Sequence, residues 1–189
     1  MKILIFTEGT ILMFSSAKTL SRENRVKKSK DKGIQGEERN ISYYSSKDNF
    51  KVETGSPYDF AKYIPIGMSV DKIQNWVQSG STIYYLTSRR KENEIISIKN
   101  ILKQYYFPQY ENLYYRKEGE DYEDVVTKIL PDILVEDDCE SIGGKKEMTH
   151  TNLESSVKDR IQSLVVKEFE GIDHLPDKLQ NIHTFKIDN

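Results

Sequence analysis

Three short apolar runs, each closed by polar residues, organise the hydrophobic pattern of the chain. Ile3-Leu4-Ile5-Phe6 stops at Thr7-Glu8-Gly9-Thr10. Thr82-Ile83-Tyr84-Tyr85-Leu86 ends in Thr87-Ser88-Arg89-Arg90, and Asp132-Ile133-Leu134-Val135 ends in Glu136-Asp137-Asp138. Short runs that are apolar without alternation read as strands buried on both faces, as in a parallel sheet. Between them the period becomes helical. Ser69 can cap a helix carrying Val70, Ile73, Trp76 and Val77 on one face, ended by Gly80. A second helix, about 91–106, carries Ile95, Ile98, Ile101, Leu102 and Tyr105, and Pro108 closes it. Leu113-Tyr114-Tyr115 reads as a short strand. An acidic start at 118–121 then opens a helix with Val125, Val126, Ile129 and Leu130. A last strand is expected over about 163–169, followed by Asp173-His174 at its end and a docked terminus or short helix after Pro176.

Strands alternating with helices predict an α/β fold with a mostly parallel sheet. Sites in such sheets lie at the carboxyl ends of the strands. If the three runs are neighbours, Thr7, Glu8, Thr87, Ser88, Asp137 and Asp138 meet at one edge, an oxygen-rich set suited to a hard cation or a phosphate.

The stretch between the first run and the second departs from this pattern. Residues 13–40 are polar, with Arg22, Arg25, Lys27, Lys28, Lys30 and Lys32 close together. Such a run reads as a solvated helix face or a loop. The alternative, a basic flap for an anion, is weakened by Glu23, Asp31, Glu37 and Glu38. Residues 41–60 carry aromatic and apolar side chains with partial alternation, consistent with a small strand or hairpin.

Composition narrows the class. With 189 residues the chain can bury one core plus a small insertion. A net charge of −2 at 31% charged residues gives no global field for nucleic acid or an anionic membrane. The apolar start is broken by Glu8, too early for a membrane span and poor as a signal peptide. Cys139 is the single cysteine, which excludes an intrachain disulfide and fits a reducing, cytoplasmic setting. Three scattered histidines offer no metal spacing, and no glycine-rich nucleotide loop is present.

The order of the strand-end motifs resembles the haloacid-dehalogenase-like (HAD) superfamily, mostly phosphatases and phosphotransferases, over residues 1–12 and roughly 66–170. That family has Asp-x-Asp-Gly-Thr after an apolar strand, then a Thr or Ser ending a strand, a Lys opening a helix, and an acidic pair ending a later strand. Phe6-Thr7-Glu8-Gly9-Thr10 aligns on the first motif, Thr87 or Ser88 on the second, Lys117 on the third with Arg116 as its alternative, and Asp137-Asp138 on the fourth. The resemblance implies a three-layer Rossmann-like core from 1–12 and 63–189, with 13–62 as a small cap after the first strand. It also implies a phosphorylated small molecule as ligand. Thr87, Ser88 and Lys117 would hold its phosphate, Asp137 and Asp138 would hold Mg²⁺, and Glu8 would act as general acid/base.

The departure lies at Phe6, where the family has its nucleophilic aspartate. A phenyl ring can neither attack phosphorus nor ligate a metal. Two readings follow: a Mg²⁺-dependent phosphohydrolase with an atypical mechanism, or a non-catalytic member that binds a ligand or a protein. A third, nucleic-acid binding through 22–32, ranks below both. Arg89 and Arg90 either hold a phosphate or lie in solvent, and Thr87 or Ser88 could equally be an N-cap.

Overall fold

The computed structural model describes residues 1–32 and 52–179. Its centre is a five-stranded, all-parallel sheet of β1 (Lys2–Phe6), β4 (Thr82–Leu86), β5 (Leu113–Tyr114), β6 (Ile133–Asp137) and β7 (Gln162–Val166), in the order β5-β4-β1-β6-β7. The three apolar runs are therefore the three adjacent central strands. Phe6 stands beside Leu86, and Ile5 lies between Tyr85 and Val135.

Side chains alternate across a strand, so β1 feeds two cores at once. Ile3 and Ile5 join the larger core, with α2 (Ser69–Gln78) and α3 (Glu92–Gln104) contributing Ile73, Trp76, Ile98, Ile101 and Leu102. Leu4, with Phe6 half-buried beside it, joins the smaller core under α4 (Tyr122–Ile129). Helices on both faces make a three-layer, Rossmann-like α/β architecture. Ile3, Leu4 and Ile5 have no exposed surface; burying such a side chain contributes about 1.5–3 kcal/mol. Trp76 is fully buried, its indole N–H donating to Pro176 O, which fastens the 171–177 segment to α2.

Most elements fall where the periodicity places them. Ser69 does not cap α2 but is its first residue; its hydroxyl points back to Ile11 O at 3.4 Å. The cap of α4 is a capping box instead: Asp121 accepts from Tyr122 N–H, and Asp124 accepts from Asp121 N–H. His150, expected in a loop, lies in the short helix α5 (Thr149–Asn152), followed by α6 (Ser155–Lys158). The expected last strand ends early, at Val166, which pairs with Asp137 at the end of β6; Phe169 then takes a left-handed backbone (φ 61°) and turns the chain.

Between β1 and α2 the chain leaves on β2 (Leu12–Phe14) and returns on β3 (Tyr63–Pro65), which pair antiparallel. The expected boundaries at 12/13 and 62/63 thus cut through and beside a two-stranded stem. The basic run forms α1 (Arg22–Lys32), with only Val26 and Ser29 buried, as a solvated face requires. The hairpin expected over 41–60 lies outside the described residues as far as 51; from 52 to 60 the chain forms turns and the start of a single 3-10 turn, Phe60–Lys62. No helix among the described residues is long and apolar enough to cross a membrane.

Candidate functional site

Beyond Phe6 the β1 backbone continues its ladder for one residue, Thr7 N–H donating to Leu86 O. It then turns sharply at Gly9 (φ +80°), with Gly9 N–H donating to Leu12 O and the Ile11 and Leu12 N–H groups to Thr7 O. The glycine is required twice. Its backbone is left-handed, and a Cβ there would lie 2.7 Å from Asp137 Oδ2 and 3.4 Å from Glu168 Cγ. The polar ends of β1, β4 and β6 accordingly converge, but they sort into two groups.

The first group is centred on Glu8, which is buried. Its Oε1 accepts from Thr87 Oγ1 at 2.5 Å, and its Oε2 from Thr7 Oγ1 at 2.7 Å and Ser88 N–H at 3.1 Å. Arg89 Nε stands 3.6 Å from Oε1. Three of the carboxylate's roughly four lone-pair directions are thus met by hydrogen bonds, and Arg89 adds positive charge at a longer distance. Thr87 is equally engaged, since its hydroxyl oxygen also accepts from Arg89 N–H. Ser88 Oγ accepts from Arg89 Nη2 at 2.9 Å. Arg89 and Arg90 are buried rather than solvated, and the Arg89 guanidinium lies over the Phe60 ring at 4.4 Å.

The second group is acidic. Asp137 Oδ2 accepts from Thr10 Oγ1 and its Oδ1 from Cys139 N–H. Asp138 Oδ1 accepts from Glu168 N–H. The Glu168 carboxylate accepts from Ser141 N–H at 2.7 Å and Ser141 Oγ at 2.8 Å. One oxygen each from Asp137, Asp138 and Glu168 lies within 4.8 Å of the others. Burial pushes the Asp137 and Glu168 carboxyls upward, and the neighbouring carboxylates add to it.

A small cavity of about 40 Å³ joins the two groups, lined among others by Phe6, Glu8, Ser88, Asp137, Cys139 and Glu168. Phe6 packs edge-on against Tyr122, with ring centroids 5.1 Å apart. Arg116, its side chain fully buried, lies over the other part of this aromatic pair at 3.7 Å from the Tyr122 centroid, 3.3 Å from Asp121 and 3.5 Å from Ser88 O. Lys117 is exposed, with its N–H donating to Glu120, so the inward cation of this turn is Arg116. Asp173 accepts from Met68 N–H and fastens the head of α2; both Asp173 and His174 are exposed.

Glu168 and Ser141 are the members of the site that the sequence pattern did not single out. Glu168 follows an apolar strand just as Asp137 does, so the same strand-end argument reaches it once β7 is ended at Val166. Glu136, buried on the opposite face from Asp137, accepts from the Thr149 and His150 N–H groups and holds the start of α5.

No protein-family model, curated protein or solved structure matches the chain.

Proposed function

We propose that this chain is a non-catalytic member of the HAD-like fold that holds a divalent cation at Asp137, Asp138 and Glu168. The single observation that carries the reading is the state of Glu8. Its buried carboxylate accepts from Thr7, Thr87 and Ser88 N–H, with Arg89 Nε 3.6 Å away, so it is held as a structural acceptor between two strand ends. Phe6 in the same cavity removes the nucleophile, and of the two candidate cations Lys117 is exposed while Arg116 is turned inward onto Tyr122 and Asp121.

The donor set fits a cation of the Mg²⁺ type. All three side chains offer oxygen, and Mg²⁺ is commonly held by one or two carboxylates plus waters. The missing Cβ of Gly9 leaves the space beside Asp137 Oδ2 clear. A bound cation would neutralise the crowded carboxylates. Asp137 is oriented by Thr10 and Cys139, and Glu168 by Ser141.

The competing reading, a phosphohydrolase acting on a phosphorylated small molecule, needs a free base and room for a substrate. Ligand pockets typically enclose several hundred Å³, against about 40 Å³ here.

Calorimetric titration with Mg²⁺ and an assay on p-nitrophenyl phosphate test the proposal together. We expect Mg²⁺ binding that Asp137→Asn removes, and no phosphate release. Turnover by the wild type that Asp137→Asn abolishes would overturn the non-catalytic reading.

A further inference from the structure

We infer that Arg25, on the first helix of the insertion, is a positioning residue for the cation site: it pins the backbone turn that aims Glu168 at Asp137. The inference rests on the cation reading above.

Glu168 is held at the cluster by Ser141 and Asp138, and the chain turns immediately after it. Phe169 holds a left-handed backbone (φ 61°), a region that a bulky side chain disfavours and keeps only when its surroundings impose it. Three contacts impose it here. The Phe169 ring packs edge-on against Phe14 of β2, with centroids 5.7 Å apart. Its N–H donates to Gly9 O at 2.7 Å. Its carbonyl accepts from Arg25 Nη1 at 3.1 Å.

Arg25 is itself fixed. Its Nε is shared between Ala17 O at 3.1 Å and Leu20 O at 3.0 Å, which ties α1 to the chain leaving the β2 stem. One guanidinium thus gathers three carbonyls, two from the insertion and one from the residue after a candidate ligand. A planar fork of five donors suits this task, and a lysine ammonium does not reproduce its geometry. Without Arg25, Phe169 loses one of its three restraints, and the relaxed turn rotates the adjacent Glu168 away from Asp137. Removing such supporting contacts typically weakens metal affinity about 10–100-fold.

The test is Mg²⁺ titration calorimetry on the full chain, comparing wild type with Arg25→Gln, Arg25→Lys and Val26→Ala. Val26 is buried on the same helix, so Val26→Ala loosens α1 while leaving the Arg25 fork in place. We expect both Arg25 variants to bind Mg²⁺ about 10–100-fold more weakly, and Val26→Ala to bind as the wild type does. Wild-type affinity in Arg25→Gln overturns the inference and leaves the cation reading standing. So does full affinity in Arg25→Lys, which would assign the effect to charge alone. An equal loss in Val26→Ala overturns it as well, by assigning the effect to general loosening of the helix. No Mg²⁺ binding by the wild type overturns the cation reading and the inference together.

Discussion

The Thr87 hydroxyl donates to Glu8 Oε1 at 2.5 Å, joining the ends of two adjacent strands inside the protein. This bond makes the second strand-end hydroxyl a partner of the first strand-end carboxylate. A charge-assisted hydrogen bond of this kind is stronger than a neutral one, and the acceptor left behind by its removal is buried. Thr87→Val should therefore destabilise the fold by about 1–3 kcal/mol, read as a lowered urea midpoint. An unchanged midpoint would mean that Glu8 finds another donor.

Phe6→Asp tests the cavity from the other side. The substitution removes the edge-on contact with Tyr122 and adds a carboxylate to a cavity already lined by Asp137 and Glu168. Without metal the variant should melt lower than wild type, by roughly 2 kcal/mol of lost packing and added repulsion. Mg²⁺ should raise its melting temperature more than it raises that of the wild type. Because Glu8 stays held by Thr7, Thr87 and Ser88, p-nitrophenyl phosphate should stay intact. Turnover by Phe6→Asp would show that Glu8 can be released from its three hydrogen-bond partners.

Gly9→Ala joins two penalties. The left-handed backbone costs a Cβ-bearing residue about 1–2 kcal/mol, and the new methyl meets Asp137 Oδ2 at 2.7 Å. The expected outcome is a destabilisation of about 2 kcal/mol or more, together with loss of Mg²⁺ binding. Binding that survives in Gly9→Ala would place the cation away from Asp137.

The buried carboxylates also make stability depend on pH. Burial first, and neighbouring carboxylates second, hold Asp137 and Glu168 above the ordinary carboxylate range. A carboxyl raised in the folded state keeps its proton where the unfolded chain has released it. Its stabilising contribution is complete below the unfolded value of about 4 and is lost as pH rises through the folded one. In EDTA the urea midpoint of the wild type should fall between pH ~4 and ~8 relative to Glu168→Gln. Mg²⁺ should flatten the difference. A wild-type midpoint that rises relative to Glu168→Gln over this window would contradict the raised values.

Much of the fold was legible because strand and helix periods are local. β4 was bounded correctly from Thr82 to Leu86, and the apolar stripes of α2, α3 and α4 match their buried faces. The inward cation of the 116–117 turn was harder. Two adjacent basic residues look alike in sequence, and only the packing of Tyr122 shows that Arg116 is the one with an aromatic face to cover. Glu168 was obscured by an apolar aromatic, Phe169, that reads as strand but turns.

The sequence by itself determined the buried parallel strands, the polar residues at their ends and the phenyl ring of Phe6 before the first polar turn, because these depend on residue type and short-range period. Tertiary structure alone decided which polar groups satisfy one another. Glu8 is consumed by Thr7, Thr87 and Ser88, whereas Asp137, Asp138 and Glu168 are crowded together. Hydrogen bonds and charge repulsion act over a few ångströms, and residues as far apart in the chain as 8, 87, 137 and 168 acquire those distances only when the sheet assembles.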